Sequence, residues 1–307
     1  MRIVSLVPAA TEIVCALGLG DDLVGISHRC DFPPGVAGRP VVTRPAPVSA
    51  HPAQGGRPAP GTRPAPAGGP PRAEVDATLL ASLRPDVVLA GPWEATTVAG
   101  TARAVADAAG ADATVVTLEP TSLEGIFHAI ATVGAMTEAE DEAVGLVEIL
   151  RERLADLEEV VAERHDEGRR APRVVALDWL DPPASAGLWI PEQVRRAGGW
   201  EVLAGDGAPG AWTSWEAIGE VDPEMLLLLP RGMHLAEAVG AWRTAPRPRS
   251  WEELQAVRRG HVVALDAAAY FDRPGPRVID GIEILAEIFD PEAFVDLAPA
   301  GSWVPVP

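Results

Sequence analysis

The chain has 307 residues, of which 47% are hydrophobic and 22% charged, as is ordinary for a globular protein with one large domain or two smaller ones. Its net charge of −19 comes from 44 acidic and 25 basic residues, and no basic cluster is present to neutralise phosphates, which argues against nucleic acid as a partner. Every basic residue is arginine, which excludes Schiff-base and P-loop chemistry because both need a lysine. No apolar run approaches the ~18 residues that a membrane span needs.

The chain begins with MRIVSLVPAA, which already has the pattern of a strand followed by a turn. This start lacks the charged segment and the apolar segment of a secretory signal peptide. A protein that starts here is expected in the cytoplasm, whereas one from which a leader has been removed is expected outside it. The two cysteines, Cys15 and Cys30, are too few for a disulfide framework.

Residues 1–136 predict an N-terminal α/β lobe, because apolar runs of strand length alternate with helical segments. Thr11 is the expected N-cap of the first helix. Residues 39–72 interrupt this pattern: they are rich in Pro, Ala and Gly and repeat RPAP three times, which predicts a loop or a disordered insertion. The predicted strands are 2–7, 23–27, 84–90 and 113–119, and the predicted helices are 12–19, 74–83, a segment ending at Gly110, and 122–136.

Residues 137–168 predict one long charged helix with apolar residues at helical spacing. Such a helix would run ~45 Å, which is too long for a local crossover, so it is predicted to be a spine between two lobes. Residues 169–307 restart the alternation as a C-terminal lobe, with strands at 173–180, 223–230 and 261–266 and helices at 190–199, 214–221, 250–260 (capped by Ser250) and 277–289. The predicted fold is α/β, with two lobes that each hold a mostly parallel sheet flanked by helices.

Ligands of open α/β sheets bind beyond the carboxyl ends of the strands, and the chain places aromatic residues there. Nine tryptophans occur against one tyrosine, and Trp93, Trp179 and Trp212 fall at strand ends or in loops. Tyr270 and Phe271 follow the last predicted strand. Two facing lobes with these residues predict an aromatic cleft for a flat ligand. Packing explains the same tryptophans about as well, so both interpretations stay open.

The segment RIVSLVPAATEIVCALGLGDDLVGISHRCDFPP (2–34) resembles the N-terminus of class III substrate-binding proteins of ABC importers, nearest to their cobalamin-binding branch. The resemblance continues through LDWLDPP, LWIPEQVRRAGG, SWEAIGEVDPEMLLLLP and AAYFDRPGPRVIDGIEILA, and covers nearly the whole chain except 39–72 and the tail after 291. This family implies two α/β lobes on one long helix, with an ABC permease as partner if the protein is exported. Its members bind haem, siderophores, metal ions or corrinoids, and the nearest branch makes cobalamin or a related corrinoid the leading expectation.

The strand ends and the resemblance together imply which residues contact the ligand. The expected contacts are Pro8, Ala9, Ala10, His28, Arg29, Cys30, Trp93, Trp179, Trp212, Asp266, Tyr270 and Phe271. By resemblance, Glu216 matches an acidic residue that docks arginines of the permease, and Glu94 is its candidate counterpart in the first lobe. No catalytic residue is predicted.

The chain departs from relatives that share its SH-x-CD signature at two places. Where they carry paired cysteines after the third strand, this chain has GPWEATTVAG (91–100). Where they carry GHW, it has Gly187, Leu188 and Trp189. Two potential metal-binding elements are therefore missing, and no metal site built by the protein is predicted.

The stretch SHRCDFPP (27–34) admits several interpretations. A closed zinc site needs four ligands and an open one needs three, and His234 is the best distant partner for His28 and Cys30. His28 alone could be an axial ligand of a bound cofactor. Cys30 could be a nucleophile whose pKa His28 and Arg29 lower, but no matching base or oxyanion signature accompanies it. The sequence favours the simplest interpretation, which is the polar lip of a pocket.

The favoured function is non-catalytic binding of a corrinoid-like or other bulky, flat small molecule in the cleft between the lobes. A cytoplasmic enzyme that uses the same cleft for chemistry on a small molecule stays open as an alternative, because fold does not settle function. An intracellular cofactor carrier or sensor is a third possibility.

Overall fold

The computed structural model describes residues 1–45, 73–91, 101–110 and 112–307. These residues fall into two compact units. The first comprises Met1–Glu119 and His128–Val147, and the second comprises Pro120–Phe127 and Glu148–Pro307. Within the described part of the chain, no helix combines the length and the apolar character that crossing a membrane requires.

A parallel sheet forms the centre of the N-terminal unit. The strands described in this unit are β1 Ile3–Ser5, β2 Leu23–Ile26, β3 Thr43–Pro45, β4 Ala73–Val75, β5 Val87–Ala90 and β6 Thr114–Thr117. The main sheet has the order β2-β1-β5-β6, and each neighbouring pair is parallel. Strands β1 and β5 are completely buried, as expected for parallel strands that helices cover on both faces.

Helices cover this sheet and lead out of the unit. They are α1 Pro8–Ala16, α2 Ala77–Leu83, α3 Thr101–Ala109, α4 Leu123–Met136 and α5 Glu140–Asp166. Leu80 and Val105 pack with Val4 and Val88 in one apolar cluster, which joins α2 and α3 to the sheet. Burial of such side chains is worth about 1.5–3 kcal/mol each, so this cluster fixes the sheet edge from which the site residues extend.

The long helix α5 starts in the first unit and ends in the second. Its 27 residues give it a length of about 40 Å. Acidic residues occupy its first turn, and Arg164 and His165 occupy its last turn, which is the charge order that the helix dipole favours. The predicted long helix is confirmed, with Glu140 as its first residue, because Glu138 adopts a left-handed φ of 57° that ends α4.

The C-terminal unit holds a second, mixed sheet. Its strands are β7 Arg173–Leu180, β8 Pro183–Ser185, β9 Trp200–Glu201, β10 Met225–Leu228, β11 Val262–Leu265 and β12 Trp303–Pro305. The order is β12-β11-β10-β7-β8, with β9 also paired to β7. The pairs of β7 with β9, β7 with β10, and β10 with β11 are parallel, whereas β8 and β12 run antiparallel to their neighbours. The helices are α6 Ile190–Arg196, α7 Trp215–Val221, α8 Leu235–Thr244, α9 Gln255–Arg258, α10 Ala267–Tyr270 and α11 Val278–Phe289.

A buried glutamate completes one edge of β7. Strand β9 pairs with the start of β7, and β8 pairs with its end. Between them, Oε2 of Glu201 accepts the N–H of Ala176 at 2.8 Å, and Oε1 accepts the N–H of Leu203 at 2.8 Å. Burial raises the pKa of Glu201 to about 7, while these backbone donors act in the opposite direction. The carboxylate thus accepts a backbone N–H of β7 in the gap between the two paired strands.

Three tryptophans form the aromatic core of the C-terminal unit. The ring centroids of Trp242 and Trp251 lie 5.1 Å apart, and Trp215 packs edge-on against Trp251 at 5.8 Å. Nε1 of Trp242 donates to the carbonyl of Pro307 at 3.0 Å. The guanidinium of Arg247 lies 4.5 Å from the Trp242 ring centroid. These side chains hold α7 and α8 against the sheet, and they are part of a larger apolar cluster.

The predicted N-cap of the first helix is wrong. Helix α1 begins at Pro8, with Val7 as its N-cap. Proline suits the first helical position because its fixed φ is helical. An N–H at that position would have no partner within the helix, so its absence costs no hydrogen bond. Thr11 therefore lies inside the helix, where its hydroxyl donates to Oγ of Ser5 at 2.8 Å.

The predicted loop over 39–72 differs from the structure at its start. Thr43–Pro45 forms an antiparallel ribbon with Ala73–Val75, and Arg44 pairs with Glu74 at 2.8 Å. The ribbon also means that 74 and 75 are strand, so that α2 starts later than predicted, after its N-cap Asp76. Residues 46–72 lie outside the described part of the chain.

Two local features of the C-terminal unit also differ from the predictions. The segment 250–260 is a 3-10 turn at Trp251–Glu253 followed by the short helix α9, and the side chain of Ser250 does not cap it. Helix α8 was not predicted from the sequence, and it begins soon after β10, with His234 as its N-cap.

Candidate functional site

The loop after β2 is held by buried hydroxyl groups. Oγ1 of Thr43 accepts the backbone N–H of His28 at 2.9 Å and lies 2.7 Å from its Nδ1. The same hydroxyl donates to Oγ of Ser27 at 3.1 Å, and that oxygen also accepts the N–H of Arg29 at 3.3 Å. Ser27 and Thr43 are both buried, so the His28 ring is fixed by groups that are shielded from water.

The environment of His28 favours its neutral form. Burial, with a smaller contribution from Arg29, lowers the pKa of His28. A neutral imidazole has one N–H donor and one nitrogen acceptor, so it can form the contact between Nδ1 and the Thr43 hydroxyl in either tautomer.

Cys30 belongs to a second chain of hydroxyl groups. Its Sγ lies 3.0 Å from Oγ1 of Thr11, which donates to Oγ of Ser5, which in turn donates to the carbonyl of Val7 at 2.8 Å. This chain of contacts connects the ends of β1 and β2 to α1.

The other predicted contacts of the N-terminal unit are placed as follows. Pro8, Ala9 and Ala10 form the first turn of α1, and their side chains are buried. They therefore offer a ligand only their backbone, where helix N-termini carry N–H groups without helical partners. Trp93 and Glu94 lie outside the described residues.

In the C-terminal unit, the structure brings Trp179 and Trp212 together across a small residue. Trp179 of β7 is directly opposite Ala184 of β8, and Ala184 is directly opposite Trp212 on its other side. Directly opposed residues of antiparallel strands point to the same face of a sheet. Both tryptophans are half-buried, and Ala184 is only 7% exposed. Nε1 of Trp179 donates to the carbonyl of Asp181 at 3.0 Å, which holds its ring.

The carboxyl ends of β7 and β10 carry an ion pair. Arg231 pairs with the buried carboxylate of Asp178 and donates its own N–H to the carbonyl of Asp178 at 3.0 Å. The N–H of Gly232 donates to Asp272. Burial raises the pKa of Asp178, and the guanidinium of Arg231 opposes that rise. This pair was not predicted from the sequence, although Asp178 lies within a predicted strand and Arg231 directly follows another.

The segment after β11 contains the remaining predicted contacts. Asp266 caps α10 by accepting the N–H of Ala269 at 2.9 Å, and its carboxylate oxygens lie 3.0 and 3.1 Å from Nδ1 of His234. Tyr270 is half-buried under the guanidinium of Arg277, which lies 5.4 Å from its ring centroid, and burial raises the pKa of Tyr270. From the sequence alone, His234 was considered only as a distant candidate ligand for a metal ion.

The prediction for Phe271 is wrong. Its side chain is completely buried and packs close to Gly281, so it belongs to the core of the C-terminal unit. Its backbone carbonyl accepts Nε1 of Trp189 at 2.9 Å. An aromatic residue in a strand-end segment looks the same in sequence whether its ring points to the core or to a ligand.

Glu216 is exposed in the first turn of α7. Its own backbone N–H and the hydroxyl of Ser214 lower the pKa of Glu216, so the side chain carries a negative charge at neutral pH. This position is consistent with an acidic surface contact. Among the described residues, no group of three or more His, Cys, Asp or Glu could hold a metal ion.

Two α/β units, with polar and aromatic residues after the carboxyl ends of their strands, form the arrangement in which α/β proteins bind small molecules. The family model described as "Periplasmic binding protein" matches residues 3–269, and the chain belongs to that family. The match confirms the resemblance to substrate-binding proteins of ABC importers that the sequence shows.

Individual relatives agree with this assignment. An ABC transporter substrate-binding lipoprotein of Bacillus subtilis is 26% identical over 295 residues, which cover 95% of this chain and 81% of the relative. A vitamin B12-binding protein of Vibrio cholerae is 24% identical, over 92% of this chain and 86% of the relative.

Solved structures share the fold at lower identity. A periplasmic heme binding protein from Pseudomonas aeruginosa superposes with a TM-score of 0.72 at 20% identity, over 95% of this chain and 93% of that one. The periplasmic vitamin B12 binding protein of Vibrio cholerae superposes with a TM-score of 0.66 at 24% identity, over 94% and 96%. The predicted two-lobed α/β class is confirmed by these matches.

Proposed function

We propose that this protein binds a bulky, planar metallated macrocycle, with corrinoids of the cobalamin type first and haem second, and delivers it to an ABC permease. The observation that carries the proposal is the register that places Trp179 and Trp212 on one face, on either side of Ala184. The family membership and the names of the relatives support the same ligand class.

The spacing of the two tryptophans sets the size of the ligand. The strand β8 lies between them, so they are separated by two strand-to-strand spacings. This corresponds to about 10 Å between their Cα atoms. The residue between them, Ala184, has only a methyl side chain and is 7% exposed. A planar ligand that stacks on both rings at once must extend over about that distance, so a single aromatic ring is too small and a tetrapyrrole macrocycle is suitable. Each stacking contact is worth about 0.5–1.5 kcal/mol beyond the area that it buries.

Polar groups at other strand ends of the same unit suit the side chains of such a macrocycle. His234, Arg231 and Tyr270 follow the carboxyl ends of β10 and β11, on the side of the sheet where ligands of this fold bind. Amide or carboxylate groups at the rim of a corrinoid or porphyrin would find both donors and acceptors there. Asp266, which holds His234, is part of the same group.

Delivery to a permease places the protein outside the cytoplasm, and Glu216 is the proposed docking residue of the C-terminal unit. Glu94 is proposed as the corresponding residue of the N-terminal unit. An exposed carboxylate attracts an arginine of the permease as the two proteins approach. The ion pair becomes stronger on association, because water is then removed from it. Glu216→Gln is expected to lower ligand-dependent stimulation of ATP hydrolysis by a reconstituted permease, with Glu220→Gln on the same helix as the matched control.

The ligand class is tested by titrating the purified protein with cobalamin, diaquacobinamide, ferric haem and a ferric siderophore, following tryptophan fluorescence with correction for absorbed light. Saturable quenching by a macrocycle, without a response to the siderophore, is the expected result. Because Trp215, Trp242 and Trp251 form a core cluster, part of the emission is expected to persist at saturation. Saturation by the siderophore alone would overturn the proposed class.

A further inference from the structure

We propose that the C-terminal unit has a second binding site, a pocket at the carboxyl ends of α5, α6 and α11 that takes a tetrahedral oxyanion carrying a proton, with inorganic phosphate as the simplest example. The pocket encloses about 290 Å³, part of which is open to solvent. This is just below the range of about 300–1,000 Å³ that drug-sized ligands occupy, so a small ligand is indicated. The site does not depend on the proposed macrocycle.

The pocket lies at the opposite end of β7 from the aromatic pair. Pro172 lines it and directly precedes Arg173, the first residue of β7. Trp179 is six residues further along the same strand, which corresponds to about 20 Å. A small anion in the pocket therefore has no contact with Trp179 and occupies a site of its own.

The first argument is a buried carboxylate oxygen that accepts no hydrogen bond. Asp290 lines the pocket and is only 6% exposed. Its Oδ2 accepts Nε of Arg164 at 2.8 Å, whereas its Oδ1 is buried without a hydrogen-bond donor, and Nη2 of Arg169 lies 3.6 Å from it. A buried acceptor without a donor is unfavourable, so this oxygen indicates a ligand that donates a hydrogen bond into the pocket.

The carboxyl group of Asp290 is ionised. Burial acts to raise its pKa, but the hydrogen bond from Arg164 and the charges of Arg169 and Arg164 outweigh this effect, so that the pKa of Asp290 lies below its ordinary value. An ionised carboxylate can only accept hydrogen bonds. The hydrogen in a bond to Oδ1 must therefore come from the ligand.

The second argument is the excess of cationic groups in the lining. Arg164, Arg169 and Arg170 line the pocket together with His165, against the single carboxylate of Asp290. Acidic residues stand between these arginines in the sequence, so the segment does not stand out as a basic cluster, but those acidic residues do not line the pocket. Guanidinium groups bind oxyanions through short, charge-assisted hydrogen bonds.

Two of these arginines keep donors for a ligand. Nη2 of Arg169 donates to the carbonyl of Phe289 at 2.8 Å, and Nη2 of Arg170 donates to Oε1 of Glu224 at 3.0 Å. A guanidinium has five N–H donors in a planar fork, and these bonds use only one nitrogen of each side chain. The remaining donors can bind two oxygens of one anion.

The carboxylate and the arginines together specify the ligand. Oxygens of the anion accept hydrogen bonds from Arg169 and Arg170, and one O–H of the same anion donates to Oδ1 of Asp290. Hydrogen phosphate keeps a proton at neutral pH and can form both kinds of bond. Sulfate has the same shape but no proton, so it would place an oxygen lone pair against the carboxylate, which is unfavourable. The pocket is therefore expected to prefer phosphate to sulfate.

The test is calorimetric titration of the purified protein with inorganic phosphate and with sulfate, at neutral pH and equal ionic strength. Saturable binding of one phosphate per chain is expected, with sulfate bound about tenfold more weakly or worse. Asp290→Asn is expected to bring the two affinities within about twofold of each other, because an amide nitrogen can donate to either anion.

Arginine variants locate the anion. Arg169→Gln and Arg170→Gln are each expected to bind phosphate about tenfold more weakly, because each removes charge-assisted donors. The side chain of Arg170 is 80% exposed, so its replacement leaves the fold intact. Arg151→Gln is the matched control, since Arg151 is half-exposed on α5 and lies about 20 Å before Arg164 along the helix. Circular dichroism confirms that each variant is folded, and if Asp290→Asn does not fold, the wild-type preference and the arginine variants decide.

The outcomes are distinguishable. If phosphate shows no saturable binding, the pocket is not an anion site and the proposal fails. Equal wild-type affinities for phosphate and sulfate would refute the role of Asp290 and with it the protonated ligand. Wild-type phosphate affinity in both Arg169→Gln and Arg170→Gln would place the anion elsewhere and overturn the site. None of these results bears on macrocycle binding, which the fluorescence titration tests separately.

Discussion

Trp179 and Trp212 face the same residue, Ala184, from the two opposite sides of β8. They are 33 residues apart in the chain, and only the short antiparallel strand between them brings them onto one face of the sheet. A side chain larger than alanine at position 184 would extend from the same face, between the two tryptophans.

The size of residue 184 is therefore expected to control ligand binding. Ala184→Leu places a branched side chain between the two rings, and its affinity for the planar ligand is expected to fall about tenfold, which corresponds to about 1.4 kcal/mol. Isothermal titration calorimetry measures this. Ala211→Leu is the matched control, because residue 211 is exposed and adjacent side chains of an extended chain point to opposite faces. Equal affinities for the two variants would contradict a ligand surface formed jointly by Trp179 and Trp212.

Thr43 is expected to position His28 rather than to contact the ligand. Thr43→Val removes a buried hydroxyl that accepts from His28 and donates to Ser27, so the free energy of unfolding is expected to fall by about 1–3 kcal/mol in urea denaturation. Thr43→Ser keeps the hydroxyl and serves as the control.

Glu201 is expected to make stability depend on pH. Burial raises its pKa in the folded protein to about 7 from an ordinary value of 4.5, so the folded state holds the proton more tightly than the unfolded state does. Its contribution to stability is complete below pH 4.5 and is lost as the pH rises through 7, and the loss amounts to about 3 kcal/mol at most.

Urea denaturation at several pH values measures this effect. Glu201→Gln is expected to flatten the profile between pH 4.5 and 7. The same variant is expected to be less stable at low pH, because an amide nitrogen cannot accept the N–H of Ala176 or Leu203. Glu220→Gln, on the exposed side of α7, should keep the wild-type slope. A wild-type profile without any decline over this range would show that the backbone donors offset the burial of the carboxylate.

The aromatic core is expected to affect stability without affecting ligand affinity. Trp242→Ala removes a fully buried indole and its bond to the carbonyl of Pro307, and a loss of about 3–5 kcal/mol is expected. Trp200→Ala, at a side chain that is 60% exposed, is expected to change stability by about 0.5 kcal/mol or less. Thermal unfolding distinguishes them. A similar loss in both variants would contradict the packing described for the cluster.

Much of the fold follows from local pattern. Buried parallel strands such as β5 and β10 are continuous apolar runs, and α5 and α11 have helical periodicity, so their existence could be predicted. The start of α1 could not be predicted correctly, because Pro8 and Thr11 are both good start signals and only the tertiary bond from Thr11 to Ser5 decides between them. Local competition of this kind is resolved by packing.

The site was predictable as a set of strand ends but not as a geometry. Trp179, Trp212 and His28 could be singled out, because strand ends are where this class of fold binds ligands. The bond from His28 to Thr43 spans 15 residues, and the register at Ala184 depends on pairing between distant segments, so neither leaves a local signal. Phe271 shows the converse, since a residue in the right segment can still turn its side chain into the core.

The most direct test of the central claim is calorimetric titration of wild type, Trp179→Ala, Trp212→Ala and Trp200→Ala with diaquacobinamide, and with ferric haem in parallel. The account predicts saturable binding by wild type and Trp200→Ala, and a loss of affinity on the order of tenfold in each of the other two variants. Failure of wild type to bind either macrocycle, or wild-type affinity in both Trp179→Ala and Trp212→Ala, would contradict it.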